Sequence, residues 1–204
     1  MACPGKALFP FAIFSFSLAQ CAGDRHSTEP PVARMAPASG VVEARPLAQG
    51  RENELTDRQI AMASDAFHSA AIDQAKLVYP KTKDAAVKKF AQILLAEHTR
   101  AKQVETDLFV ELRMSPMESP LSTEIGVESG KVLMNLRDAS PNDLDDTFVA
   151  AQISSHQRFL DALDRELLPN VGEPRLRNVL EAYRPRLELH LEMARGLKQA
   201  LANP

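Results

Sequence analysis

Residues 84–113 read DAAVKKFAQILLAEHTRAKQVETDLFVELR, a run with no glycine and no proline. Val87, Phe90, Ala91, Leu94, Ala101 and Leu108 recur in it on one side at helical spacing. Ala, Leu, Glu, Gln, Lys and Arg, which lose little freedom in a helix, fill most of the rest. One long amphipathic helix is therefore expected from Asp84 to about Arg113. Ser115-Pro116 and Ser119-Pro120 stop it, because proline cannot donate to the ladder and disfavours helix in the residue before it.

The same reading extends in both directions. Upstream, Thr56-Asp57-Arg58-Gln59 is a capping box that opens a helix running to about Tyr79, with a turn at Pro80 to Lys83. Downstream, Thr123 to Asp138 predicts a shorter helix, weakened by Gly126 and Gly130. Ser140-Pro141 reads as an N-cap followed by proline at the first helical position, and the helix it opens reaches Leu168. Its stripe is Val149, Ile153, Leu160, Leu163 and Leu167. Pro169 to Glu173 form a turn, and Pro174 opens the last helix, striped by Leu176, Leu180, Tyr183, Leu187, Ala194, Leu197 and Leu201. Four long striped helices with mostly short connections predict an all-α four-helix bundle over residues 53–204. The longer link between the second and third allows a ferritin-like crossover carrying the short extra helix.

The first 52 residues have a different character. Lys6 precedes an apolar run from Ala7 to Ala19, long enough for a signal-peptide core and too short to span a bilayer, so residues 1–20 are expected to direct export. Leu18-Ala19-Gln20-Cys21 resembles a bacterial lipobox, in which Cys21 would be lipidated. Gln20 departs from that pattern, and a competing cleavage site follows Ser17-Leu18-Ala19. The chain's 2 cysteines are Cys3, which leaves with the leader, and Cys21. Unlipidated, Cys21 would be a lone thiol in an oxidising compartment, which favours the lipid anchor. Residues 21–52, rich in proline and small polar residues, predict a disordered tether. Asp24 does not directly follow Cys21, so the expected destination is the outer membrane, facing the periplasm; a soluble periplasmic protein is the alternative.

Composition excludes several chemistries. The folded region has no cysteine, hence no disulfide framework, thiolate metal site or cysteine nucleophile. Without the leader's Lys6, 23 basic side chains face 27 acidic ones, which leaves no footprint for nucleic acid. Neither a glycine-rich phosphate loop nor a G-x-S-x-G elbow occurs.

Three histidines fall on the apolar stripes. His98 continues Val87, Ala91 and Leu94; His156 lies between Ile153 and Leu160; His190 lies between Leu187 and Ala194. Counted from the turn at Pro169 to Glu173, His156 and His190 stand about 12 and about 16 residues up their helices, roughly 6 Å apart in height. Three inward imidazoles at mid-bundle can share one metal ion. They can equally be core polar groups that fix helix register. His68, next to Phe67 and off the stripe, reads as a surface or boundary residue.

A ferritin-type di-iron site would need Glu three residues before His on two helices. Leu95, Ile153 and Leu187 stand at those positions, and Glu97 should point about 100° away from His98. A carboxylate-poor set of imidazoles suits zinc or copper. Met193, one turn beyond His190, is a candidate soft ligand that reads more simply as packing. Asp145 and Gln152 form a polar thread towards His156, with Asp145 serving the helix start. Pro185 interrupts the last helix five residues before His190.

Val87-Lys88-Lys89-Phe90-Ala91 followed by Glu97-His98-Thr99, then Asp145-Asp146-Thr147-Phe148 leading to Gln152 and His156-Gln157, then Tyr183-Arg184-Pro185-Arg186-Leu187 with His190-Leu191 and Ala194 resemble three motifs of one bacterial family. It is the domain of unknown function 4142 family of predicted outer-membrane proteins, and the resemblance spans about Asp57 to Leu201. Leu144 and Tyr183-Arg184 depart from its usual residues. The resemblance implies a ferritin-like helical bundle and no established activity. Two functions are carried forward: an envelope-anchored metal-binding module using His98, His156 and His190, and a structural or interaction protein of the envelope with unknown protein partners. An enzyme ranks third, since no nucleophile–base pair, carboxylate dyad or cofactor loop is visible.

Overall fold

A computed structural model describes residues 54–203. The expected leader, lipidation site and tether lie outside the described residues. Within them the chain is all-helical, without strands, in five helices: α1 Asp57–Val78, α2 Ala85–Leu112, α3 Pro120–Asp138, α4 Leu144–Ala162 and α5 Pro174–Ala202. None of these is long and apolar enough to cross a membrane.

The helix starts follow local side-chain chemistry. Gln59 N–H donates to Thr56 Oγ1, and Gln59 Oε1 accepts from Thr56 N–H at 3.0 Å, which completes the expected capping box of α1. Asp84 Oδ1 accepts from Ala86 and Val87 N–H at 2.8 and 2.9 Å and opens α2. α2 ends on Arg113 in the left-handed conformation at φ 52° without a glycine.

Two boundaries differ from expectation. α3 begins three residues earlier than Thr123, because Ser119 and Ser122 form a reciprocal cap with Pro120 at the first helical position. It is as long as α4, 19 residues each. Gly126 and Gly130 do not shorten it, and a Cβ at either would meet nothing within 4 Å. Ser140 caps a turn rather than α4 itself. Its carbonyl accepts from Asp143 and Leu144 N–H at 3.0 Å, so the helix starts one turn after the expected Pro141. At its far end α4 widens into a π-helical turn, Leu163–Leu167, and a final α-turn, Leu168–Asn170, that contains Pro169.

α1 packs against α2 and α3, α2 against α5, and α5 against α4, while α3 also touches α4. The turn before α5 is tied to the start of α1 by Gly172 N–H donating to Asp57 Oδ1 at 2.7 Å. The core forms two apolar clusters. One gathers Ile60, Phe67, Leu108, Phe159, Leu163, Leu176 and Leu187. The other gathers Val78, Phe90, Leu94, Leu136, Phe148 and Ala194. On α1, α2, α4 and α5 a buried histidine stands in sequence between residues of the two clusters: His68, His98, His156 and His190. The core is thus two apolar blocks with a polar layer at their junction.

Candidate metal centre

The layer contains more than the stripes foretold. His98, His156 and His190 are each 0% exposed, as their positions predict, and so is His68. The surface or boundary reading of His68 is therefore corrected. α1 is covered on several sides, so its buried arc takes in both Phe67 and His68, and helical spacing from a single stripe leaves the second out.

One ring nitrogen from each of His98, His156 and His190 lies within 4.8 Å of those of the other two. A tetrahedral zinc with Zn–N of about 2.05 Å holds its nitrogens roughly 3.3 Å apart. Binding one ion would require the three rings to draw together from their present spacing of up to 4.8 Å. The ring centroids of His98–His156, His98–His190 and His156–His190 stand 5.5, 5.2 and 5.4 Å apart. Phe67 walls the cluster, 5.4 Å from His98 and 5.3 Å from His156, and stacks on Phe159 at 4.0 Å.

Hydrogen bonds decide which nitrogens can bind. His156 Nδ1 lies 2.9 Å from the Gln152 carbonyl oxygen, which can only accept. The His156 proton is therefore on Nδ1, and Nε2 keeps its lone pair. His190 Nε2 lies 3.0 Å from Glu97 Oε2, so Nε2 carries the proton and Nδ1 the lone pair. His98 Nδ1 faces His68 Nδ1 at 3.0 Å. The remaining nitrogens, His98 Nε2, His156 Nε2 and His190 Nδ1, are buried with no hydrogen-bond partner, and so is His68 Nε2, which faces the Glu105 carboxylate. Each of the three candidate ligands is held by one nitrogen and leaves the other unengaged, as in metal-ligating histidines whose second nitrogen is fixed by the protein.

Electrostatics keep these rings neutral. Burial holds His98 well below the usual histidine range, and the neighbouring imidazoles of His156, His68 and His190 add to the effect. His156 is pushed down to about 3 by burial, then by His190, against the opposing Gln152 hydrogen bond. His190 is lowered by burial, with Glu97 opposing. A neutral imidazole is the form that binds metal.

Leu95, Ile153 and Leu187 belong to the apolar packing, so no Glu-x-x-His pair reaches the centre. Glu97 does turn away from its sequence neighbour His98, but it reaches His190 on α5, and Arg186 Nη1 stands 3.8 Å from its other oxygen. Met193 packs against the second apolar cluster. The thread Asp145–Gln152–His156 is only partly present: Gln152 Nε2 donates to Gln74 Oε1 on α1 at 2.6 Å, and Asp145 stays in the first turn of α4.

Glu105 and Tyr183 complete the surroundings. Glu105 is 2% exposed, accepts from Ser64 Oγ at 2.6 Å and stands 3.5 Å from His68 Nε2. Its sequence signal was present: it follows His98 by seven residues, two helical turns along one face. Tyr183 sets its ring edge-on to His68 at 4.8 Å, and its phenol is pushed up by burial and by the carboxylates of Glu97 and Glu105.

Neither the curated proteins nor the solved structures yield a match to this chain. A family model matches residues 42–197, a span containing all three motifs and the whole histidine layer. The chain belongs to the family described as domain of unknown function (DUF4142).

Proposed function

We propose that this protein binds a transition-metal ion, zinc or copper, through His98 Nε2, His156 Nε2 and His190 Nδ1. One observation carries the reading: three neutral imidazoles close together, each with one nitrogen hydrogen-bonded and the other buried without a partner. Leaving a buried nitrogen unpaired costs about 1–3 kcal/mol, and coordination would offset that cost at all three. Imidazole donors without a carboxylate in the first sphere favour zinc or copper over iron. Three protein ligands leave a further position for water or a small ligand.

The reading extends to architecture and place. α1, α2, α4 and α5, which supply the histidines, form a four-helix bundle of ferritin-like kind, with α3 as the extra helix of the crossover. The apolar run 7–19 and Cys21 support export and lipid anchoring of the bundle at the outer membrane, facing the periplasm. Mass spectrometry of the N-terminal peptide from native membranes tests the anchor; an unmodified Cys21 refutes it.

The metal reading is tested by elemental analysis of protein purified without a His-tag, beside the His98→Ala/His156→Ala/His190→Ala variant. About one zinc or copper per chain is expected in the first and none in the second. Equal and negligible metal in both refutes it. The second reading is a structural role, favoured by the Gln152–Gln74 pair, which lines the interior without any ligand function. On that reading single His→Gln changes lower the melting temperature and leave metal content untouched.

A further inference from the structure

His98 differs from the other two candidate ligands. A carbonyl and a carboxylate fix the protons of His156 and His190, but His98 Nδ1 faces another imidazole nitrogen, His68 Nδ1, at 3.0 Å. Either ring can donate across that contact. If His68 donates, the His98 proton must sit on Nε2, and His98 cannot be a ligand.

The next residue in the chain of contacts makes the choice. His68 Nε2 lies 3.5 Å from Glu105 Oε1, an electrostatic contact without hydrogen-bond geometry, and both side chains are buried. Ser64 Oγ–H donates to that same oxygen at 2.6 Å and holds the carboxylate in place. A lone pair on His68 Nε2 would face a carboxylate in a low-dielectric interior, whereas an N–H there is attracted to it. Glu105 therefore selects the His68 tautomer with its proton on Nε2. His68 Nδ1 must then accept, His98 Nδ1 must donate, and the His98 lone pair falls on Nε2, which has no hydrogen-bond partner.

We infer that His68 and Glu105 are positioning residues, a relay Ser64–Glu105–His68–His98 that sets the tautomer of His98 for metal binding. The relay alternates between two helices, α1, α2, α1 and α2, with Tyr183 of α5 edge-on to His68 at 4.8 Å. Its purpose rests on the metal-binding reading, but the proton arrangement itself does not.

Imidazole nitrogen NMR on the metal-free protein tests it. In the wild type His98 is expected to show a protonated Nδ1 and an unprotonated Nε2, and His68 the reverse. Glu105→Gln replaces a pure acceptor by a group that also donates, so both rings should become tautomer mixtures, and zinc affinity should fall about 10- to 100-fold. A wild-type His98 protonated on Nε2 overturns the inference, as does a Glu105→Gln protein whose tautomers do not change. The wild-type spectrum alone is decisive should Glu105→Gln fail to fold. Expected tautomers in a protein that binds no metal would refute the proposed function and leave the relay standing. Metal bound with the opposite tautomer would do the converse.

Discussion

His190 Nε2 lies 3.0 Å from Glu97 Oε2, so a carboxylate adjacent in sequence to His98 serves the histidine of a different helix. The contact gives His190 a fixed tautomer and makes its second nitrogen a better donor. Glu97→Ala should weaken zinc or copper binding by about 10- to 100-fold while the protein stays folded. Competition titration against a chelator of known affinity measures this, and an unchanged affinity would remove Glu97 from the centre.

The metal-free protein should lose stability in acid. His98, His156 and His190 titrate below the ordinary value when folded and near about 6.5 when unfolded. Below about pH 6.5 the unfolded chain binds more protons, so each such ring subtracts up to about 1.4 kcal/mol per pH unit. This contribution is fully present above the unfolded value and is lost as pH falls through it, towards the folded value of about 3 for His156. Urea midpoints taken across that range should drop steeply, and a flat profile would mean that the rings are hydrated.

Gly126 and Gly130 sit on the exposed face of α3 with open space where a Cβ would stand. Gly126→Ala and Gly130→Ala should each stabilise by about 0.5–1 kcal/mol, by reducing the freedom of the unfolded chain. Thermal melts check this, with metal content unchanged because neither residue approaches the histidines.

Gln152 and Gln74 test the structural part of the polar layer. Gln152→Ala strips Gln74 Oε1 of its donor inside the core and should cost about 1–3 kcal/mol. The double variant Gln74→Leu/Gln152→Leu should cost less than the sum of the two single Leu changes, because no orphaned amide remains. Additive losses in chemical denaturation would show that the pair is not coupled.

Much of the helix layout is legible in the sequence. Thr56 and Asp84 each have a side chain that can reach a nearby amide, and α1 and α2 begin where they predict. The two misplaced starts have local causes. Ser119 and Ser122 cap each other without the usual Glu or Gln, and Ser140 spends its carbonyl on a turn before α4. His98, His156 and His190 were legible as inward residues, because spacings of three and four put a side chain on the face of its apolar neighbours.

What the sequence determined by itself is this angular information: where each helix runs and which side of it turns inwards, since both depend on residues within a turn or two. The tertiary structure alone decided who meets whom. It brought His68 to His98, Glu105 to His68 and Glu97 to His190, across pairs 30, 37 and 93 residues apart. Periodicity fixes a side chain's direction about its own axis but not the height or identity of the neighbour opposite. That depends on how α1, α2, α4 and α5 settle against one another, and it is this packing that turns separate inward histidines into one cluster with a defined set of lone pairs.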